Sequence, residues 1–171
     1  DITALSYSPS NLVINTKYYW KVVATDPTGS TTSSVMNFTV KMTPEWSYDA
    51  GEDVLSVSIS DDGEYIAAGT LDMVYLFDKD SSTPLWSYET GGRVYTVDMS
   101  SDGEYIAVGS DSDKVYLFAR NSSTPLWTYD TDGDVRAIAI SVDGEYIVAG
   151  GQANKVYLFS KDSNTPLWSY S

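Results

Sequence analysis

Residues 102–129 read DGEYIAVGSDSDKVYLFARNSSTPLWTY, and the same stretch, slightly varied, occurs three times. The word Asp-Gly-Glu-Tyr-Ile stands at 62–66, 102–106 and 143–147, and Val-Tyr-Leu-Phe at 74–77, 115–118 and 156–159. A third word, Thr-Pro-x-Trp-x-Tyr, stands at 43–48, 83–88, 124–129 and 165–170. It places Trp46, Trp86, Trp127 and Trp168 at spacings of 40, 41 and 41 residues. The one-residue change of period falls between Gly69 and Val74, where Thr70 to Met73 is shorter than Ser110 to Lys114. Three words recurring in fixed order define an internal repeat.

Each repeat holds four short strand patterns. In the first repeat, Val54 to Ser60 alternates, with Leu55, Val57 and Ile59 on one face and small Ser56 and Ser58 on the other. Asp61-Asp62-Gly63-Glu64 is a turn, Tyr65 to Ala68 and Val74 to Phe77 are the second and third strands, and Asp78 to Thr83 is a polar turn. Pro84 opens the fourth, Leu85 to Tyr88, and a Pro there suits an edge strand that need not donate to a ladder. Four strands in about 41 residues, with no 3.6-residue periodicity, is the period of a β-propeller blade. The predicted fold class is therefore all-β, with blades at about 54–89, 93–130 and 134–171 and an extra outer strand at 43–48.

Gly103 to Phe118 resembles the second half of a WD repeat, with Phe77-Asp78 standing where Trp-Asp ends the third strand. Leu85 to Gly92, Leu-Trp-Ser-Tyr-Glu-Thr-Gly-Gly, resembles the quinoprotein-type (PQQ-like) propeller repeat. The resemblance covers residues 43–171 and implies propeller blades. The Gly-His dipeptide of WD repeats is absent, so the buried His-Asp network of that family cannot form, and its partner-binding habits carry over only loosely.

Residues 1–40 form a different module, joined through a linker at 41–45. The run Leu12, Thr16, Tyr18, Trp20, Val22, Ala24 alternates as a half-buried strand does, Asp26 to Gly29 is a turn, and Val35 to Val40 returns. This is similar to the C-terminal part of a fibronectin type III domain, with Tyr18 as its tyrosine corner. Such a domain takes about 100 residues, and three blades are too few for an ordinary ring. A piece of a longer protein is expected. The rival is an intact short chain that forms a homo-oligomer or filament through its open faces.

Composition narrows the function. Ten Lys and Arg stand against 24 Asp and Glu, a net charge of −14, which repels phosphate backbones and excludes nucleic acid as a partner. There is no Cys and no His, so disulfides, thiolate or imidazole metal sites and Ser-His-Asp chemistry are ruled out. No apolar run approaches the roughly 18 residues of a membrane span, and Asp1-Ile2-Thr3-Ala4 is not a signal peptide. Richness in Ser, Thr, Tyr, Asp and Gly leans toward an extracellular or cell-surface protein.

The candidate sites follow from charge and from breaks in the repeat. Loops joining strand four to strand one and strand two to strand three carry Asp49, Glu52, Asp53, Asp72, Glu89, Asp111, Asp113, Asp130, Asp132 and Asp134. Only Arg93, Lys114, Arg136 and Lys155 oppose them there. Asp130-Thr131-Asp132-Gly133-Asp134 places oxygens at alternate positions around a sharp turn, as a calcium loop needs, but lacks the bidentate Glu of an EF-hand. A solvated Asp-rich turn is its plainer reading. The repeated Trp and Tyr residues obey the period and so read as inter-blade packing rather than sugar platforms. The positions that break the period, Leu55/Tyr95/Arg136 and Ser58/Asp98/Ala139, nominate Tyr95, Asp98 and Arg136 as a ligand pocket on the inner strands. Asn37 and Asn121 head glycosylation sequons, Asn37-Phe38-Thr39 and Asn121-Ser122-Ser123. No nucleophile–base pair can be named, so the expectation is a non-enzymatic scaffold that contacts protein or glycan, without cofactor unless calcium. The alternative is part of a quinoprotein-like (PQQ-dependent) enzyme.

Overall fold

The structure, a computed structural model, describes residues 16–20, 23–26, 29–32, 34–39 and 44–171. Contacts divide the chain into Asp1–Glu45 and Trp46–Ser171.

In the first unit, β1 (Lys17–Trp20) pairs with β4 (Met36–Thr39), and β2 (Val23–Asp26) with β3 (Gly29–Thr32), all antiparallel. Trp20 faces Met36 and Val23 faces Thr32, so the register moves by one residue between the two pairs. The predicted out-and-back path is present, but as two short ladders rather than one. Leu12, Val22, Pro27 and Val40 lie outside the described residues.

The second unit contains the three predicted blades. Blade 1 is β5 (Ser56–Ile59), β6 (Tyr65–Gly69), β7 (Met73–Asp78) and β8 (Trp86–Glu89). Blade 2 is β9 (Val94–Met99), β10 (Tyr105–Ser110), β11 (Lys114–Ala119) and β12 (Trp127–Asp130). Blade 3 is β13 (Val135–Ile140), β14 (Tyr146–Gly151), β15 (Val156–Ser160) and β16 (Trp168–Tyr170). Each is an antiparallel meander in sequence order. The Asp-Gly words make the first turn of every blade. Asp62 Oδ1 accepts from Ser60 Oγ (2.6 Å) and from the Glu64 N–H (3.0 Å), and Gly63 supplies the left-handed residue at φ 74°. Residues 46–48, expected as an outer strand, form no strand.

Blades stack face to face and bury the β-branched and aromatic residues of their middle strands. Ala67, Val74 and Leu76 of blade 1 meet Val94, Val97, Met99 and Phe118 of blade 2, all nearly solvent-free. Ala107, Val115 and Leu117 of blade 2 meet Val135, Ile147 and Phe159 of blade 3 in the same way. Each full aliphatic burial stabilises by about 1.5–3 kcal/mol. The spacing depends on glycine. A Cβ on Gly69 would come 2.7 Å from Val94 Cβ, and one on Gly109 would come 2.6 Å from Val135 Cγ1.

The inner strands depart from simple alternation. Ser110 pairs with Val94 and Gly109 with Thr96, so Tyr95 is an extra residue in a β-bulge; Arg136 is the extra residue between Val135 and Ala137. The bulge turns Val94 onto the face of Val97. In blade 1, where β5 and β6 pair in regular register, side-chain bonds correct the face assignment. The alternation groups Val54 with Ser56 and Ser58 as a bare flat face, yet Ser56 Oγ accepts from the Val97 N–H (3.0 Å) and Ser58 Oγ donates to Asp98 (3.3 Å). The face left open is that of Val54, Val57 and Ile59, which are 52%, 66% and 59% exposed.

Candidate functional site

The loops that join strand four to strand one and strand two to strand three lie at one end of the blades and are stapled together. The Thr90 N–H donates to the Asp72 carbonyl (2.8 Å), the Val94 N–H to Thr70 (2.9 Å) and the Thr131 N–H to Asp113 (2.7 Å). The acidic residues of these loops therefore share one rim. Three carry a cation each: Lys114 pairs with Asp130, Lys155 with Asp132, and Arg136 with Asp134 (2.7 Å). The first two carboxylates hold their lysines above the ordinary lysine range through those bonds. The other seven rim acids make no ion pair among the described residues.

Asp130, Asp132 and Asp134 thus face three different cations from three different elements. No group of three His, Cys, Asp or Glu residues converges on a metal position among the described residues. Asp111 Oδ1 accepts the Arg93 backbone N–H (2.6 Å), fixing the corner between blades 1 and 2. Asp113 sits at φ 60°, a conformation Asp tolerates, and its carboxylate remains exposed.

The inner-strand trio separates into two arrangements. Arg136 lies over the Tyr95 ring, 4.1 Å from its centroid, while Asp134 holds its Nη2. Asp98 points elsewhere: one oxygen accepts from Ser58 of blade 1 and the other from the Ile140 N–H of blade 3 (2.9 Å). Asp98 ties three blades together, and it does not join Tyr95 and Arg136 in a common pocket wall. Breaks in the repeat found these residues, but the bulge that sets their direction has no signal in a single strand's alternation.

The repeated aromatics pack between blades. Trp86 stacks near Phe118 (5.2 Å) and donates its indole N–H to the Arg120 carbonyl (2.7 Å). Trp127 repeats this on Phe159 (5.3 Å) and Lys161 (2.7 Å), and Trp46 on Phe77 (5.4 Å) and Lys79 (2.5 Å). Each Trp latches onto the blade that follows its own outer segment. The sequence marks the Trp but gives no sign of the carbonyl that receives it. Asn121 is exposed in the turn after β11, whereas Asn37 lies within β4, opposite Tyr19.

A family model described as "Outer membrane protein assembly factor BamB" matches residues 72–171, more than half of the chain. The chain belongs to this family. A second model, "WD domain, G-beta repeat", matches residues 42–78. The two matches meet inside blade 1 and agree with the mixed character of the repeat words. No curated protein sequence matches the chain.

Among solved structures, the WD40 repeats of RRP9 align at 16% identity with a TM-score of 0.65, over 71% of this chain and 39% of that one. A chain of a mitotic checkpoint complex aligns at 22% identity with a TM-score of 0.62, over 80% of this chain and 42% of that one. U3-55K aligns at 16% identity with a TM-score of 0.66, over 71% and 40%. At such identities the likeness is one of fold. The chain spans about two fifths of the length of these propeller chains.

Proposed function

We propose that this chain is a non-enzymatic scaffold of the extracellular space or cell surface, whose acidic rim receives a protein or glycan partner. The rim geometry carries the reading. Seven carboxylates without ion pairs share one end of a stapled set of loops, and such a field attracts a basic partner or cations. The likeness in fold to a chain of a multiprotein checkpoint complex supports protein binding. Calcium at Asp130, Asp132 and Asp134 and a sugar on exposed Asn121 belong to the same surface reading. So does the fibronectin-like character of residues 1–40, which the paired strands of 17–39 support. Self-assembly into a homo-oligomer or filament is compatible with it.

Arg136, the one cation on the inner strands, is already engaged by Asp134 and Tyr95. The test is proximity cross-linking on the native source with two neutralised variants. Asp72→Asn, Glu89→Gln and Asp113→Asn alter the rim; Asp61→Asn, Asp80→Asn and Asp162→Asn alter the opposite end. Partners lost only with the first set support the rim; equal capture by both, or calcium-dependent reduction of a dye acceptor at the expense of an added alcohol or sugar in the presence of quinone, would overturn the scaffold reading.

A further inference from the structure

The chain holds four Asp-Gly pairs, Asp62-Gly63, Asp102-Gly103, Asp132-Gly133 and Asp143-Gly144. At such a pair the main chain can rearrange without an enzyme. Glycine has no side chain to hinder its amide nitrogen, and that nitrogen lies within reach of the preceding carboxyl carbon. The nitrogen attacks the protonated carboxyl: a C–N bond forms, a C–O bond breaks, and water leaves with the amide proton. The cyclic imide then takes up one water at either carbonyl carbon. One opening restores aspartate. The other leaves isoaspartate, with the main chain running through the former side chain. One water is lost and one regained, and nothing is oxidised or reduced.

Three of the pairs are locked against this step. The N–H groups of Gly63, Gly103 and Gly144 donate to the carbonyls of Ser60, Ser100 and Ser141, at 2.9, 2.9 and 2.8 Å. Each aspartate before them is held twice more. Asp102 Oδ1 accepts from Ser100 Oγ (2.7 Å) and the Glu104 N–H (3.0 Å), and Asp143 Oδ1 from Ser141 Oγ (2.6 Å) and the Glu145 N–H (3.1 Å), as Asp62 does from Ser60 and Glu64. These bonds keep the three carboxyls below their ordinary value of 3.8, so the reactive protonated form is scarce.

Asp132-Gly133 has none of these restraints. The loop leaves the repeat here: the equivalent residues Gly51 and Gly91 are left-handed, at φ 72° and 71°, and Asp132 is not. The Gly133 N–H makes no hydrogen bond among the described residues, although its carbonyl accepts from Thr131 Oγ1 (2.6 Å). The Asp132 carboxylate meets Lys155, and their side chains are 69% and 34% exposed. An ion pair so open to water restrains little.

We propose that Asp132-Gly133 is the site of isoaspartate formation in this protein, because the fold leaves its amide nitrogen and its carboxyl free of the bonds that hold the other three pairs. Isomerisation adds a methylene to the main chain of the rim loop and displaces the carboxylate facing Lys155. The rim keeps its charge and loses an ion pair. The site depends on loop geometry alone and holds whatever partner the rim receives.

The test is incubation of residues 1–171 in heavy-oxygen water at neutral pH, followed by digestion in ordinary water and peptide mass spectrometry. Each imide opening leaves a heavy oxygen in its peptide, and fragmentation separates isoaspartate from aspartate. Label in the folded protein is expected at Asp132 at a rate about tenfold or more above Asp62, Asp102 and Asp143, the factor that one retained hydrogen bond supplies. In urea the four pairs should label alike. Asp132→Glu, whose longer side chain disfavours the ring, should remove the label from this loop with circular dichroism unchanged. Ser141→Ala should raise it at Asp143. Equal labelling of the four pairs in the folded protein would overturn the proposal. So would no label at Asp132 while the unfolded chain reacts, label persisting in the loop of Asp132→Glu, or an Asp143 rate indifferent to Ser141→Ala.

Discussion

The guanidinium of Arg136 rests 4.1 Å from the centre of the Tyr95 ring, and both are the bulged residues of consecutive blades. Leu55 holds the same place in blade 1 and has no such partner. A bulge takes its residue out of the strand's alternation, so its side chain is free to vary and to reach the neighbouring blade. Replacing Tyr95 or Arg136 by Leu, as at residue 55, is expected to cost about 0.5–1 kcal/mol each. The double variant should cost less than the two together. Urea melts of the four proteins measure the coupling, and strict additivity would show that the stack contributes nothing.

Asp98 links blades 1 and 3 through blade 2. Asp98→Ala leaves the Ile140 N–H and the Ser58 hydroxyl without their acceptor. The expected loss is about 1–3 kcal/mol, with Asp98→Asn intermediate because its amide oxygen still accepts one bond. Hydrogen exchange at Ile140 provides the local readout; unchanged protection in Asp98→Ala would refute the tie.

Four tryptophans share one motif but not one environment. Trp127→Ala empties a half-buried site between blades and breaks the bond to the Lys161 carbonyl, with an expected cost of about 3 kcal/mol. Trp168→Ala removes an exposed ring and should shift monomer stability by less than about 0.5 kcal/mol. Urea denaturation compares them, and equal losses would contradict the difference in burial between the two rings.

The Asp-Gly turns set an acid limit. Bonds from Ser60 and from the Glu64 N–H hold the Asp62 carboxyl below its ordinary value of 3.8. The Glu104 N–H and Ser100 do the same for Asp102, and Ser141 and the Glu145 N–H for Asp143. A carboxyl depressed in the folded state adds stability that is complete above its unfolded value and disappears as pH falls through the folded one. The melting temperature should therefore drop below about pH 4. The triple variant Asp62→Asn, Asp102→Asn, Asp143→Asn should start lower at neutral pH and fall less steeply in acid. A parallel acid profile would place the limit in other carboxylates.

The sequence alone determined the blade count, the four-strand period, the polar turns and the packing role of the repeated Trp and Tyr. All of these depend on local pattern and on recurrence, which one chain displays in full. The acidic rim was equally legible, because loop positions follow from strand order. Only the tertiary structure decided which face of the first strand is bare, because the bonds from Ser56 and Ser58 to blade 2 that cover the other face join residues about 40 positions apart. Only the structure separated Asp98 from Tyr95 and Arg136, and gave Asp130, Asp132 and Asp134 a cation apiece. Except for Arg136, two residues from Asp134, those partners sit on other strands or loops, where distance along the chain says nothing about distance in space. The same holds for Gly69 and Gly109: in the sequence they are glycines of a repeated series, and the fold alone shows that they admit Val94 and Val135 of the following blade.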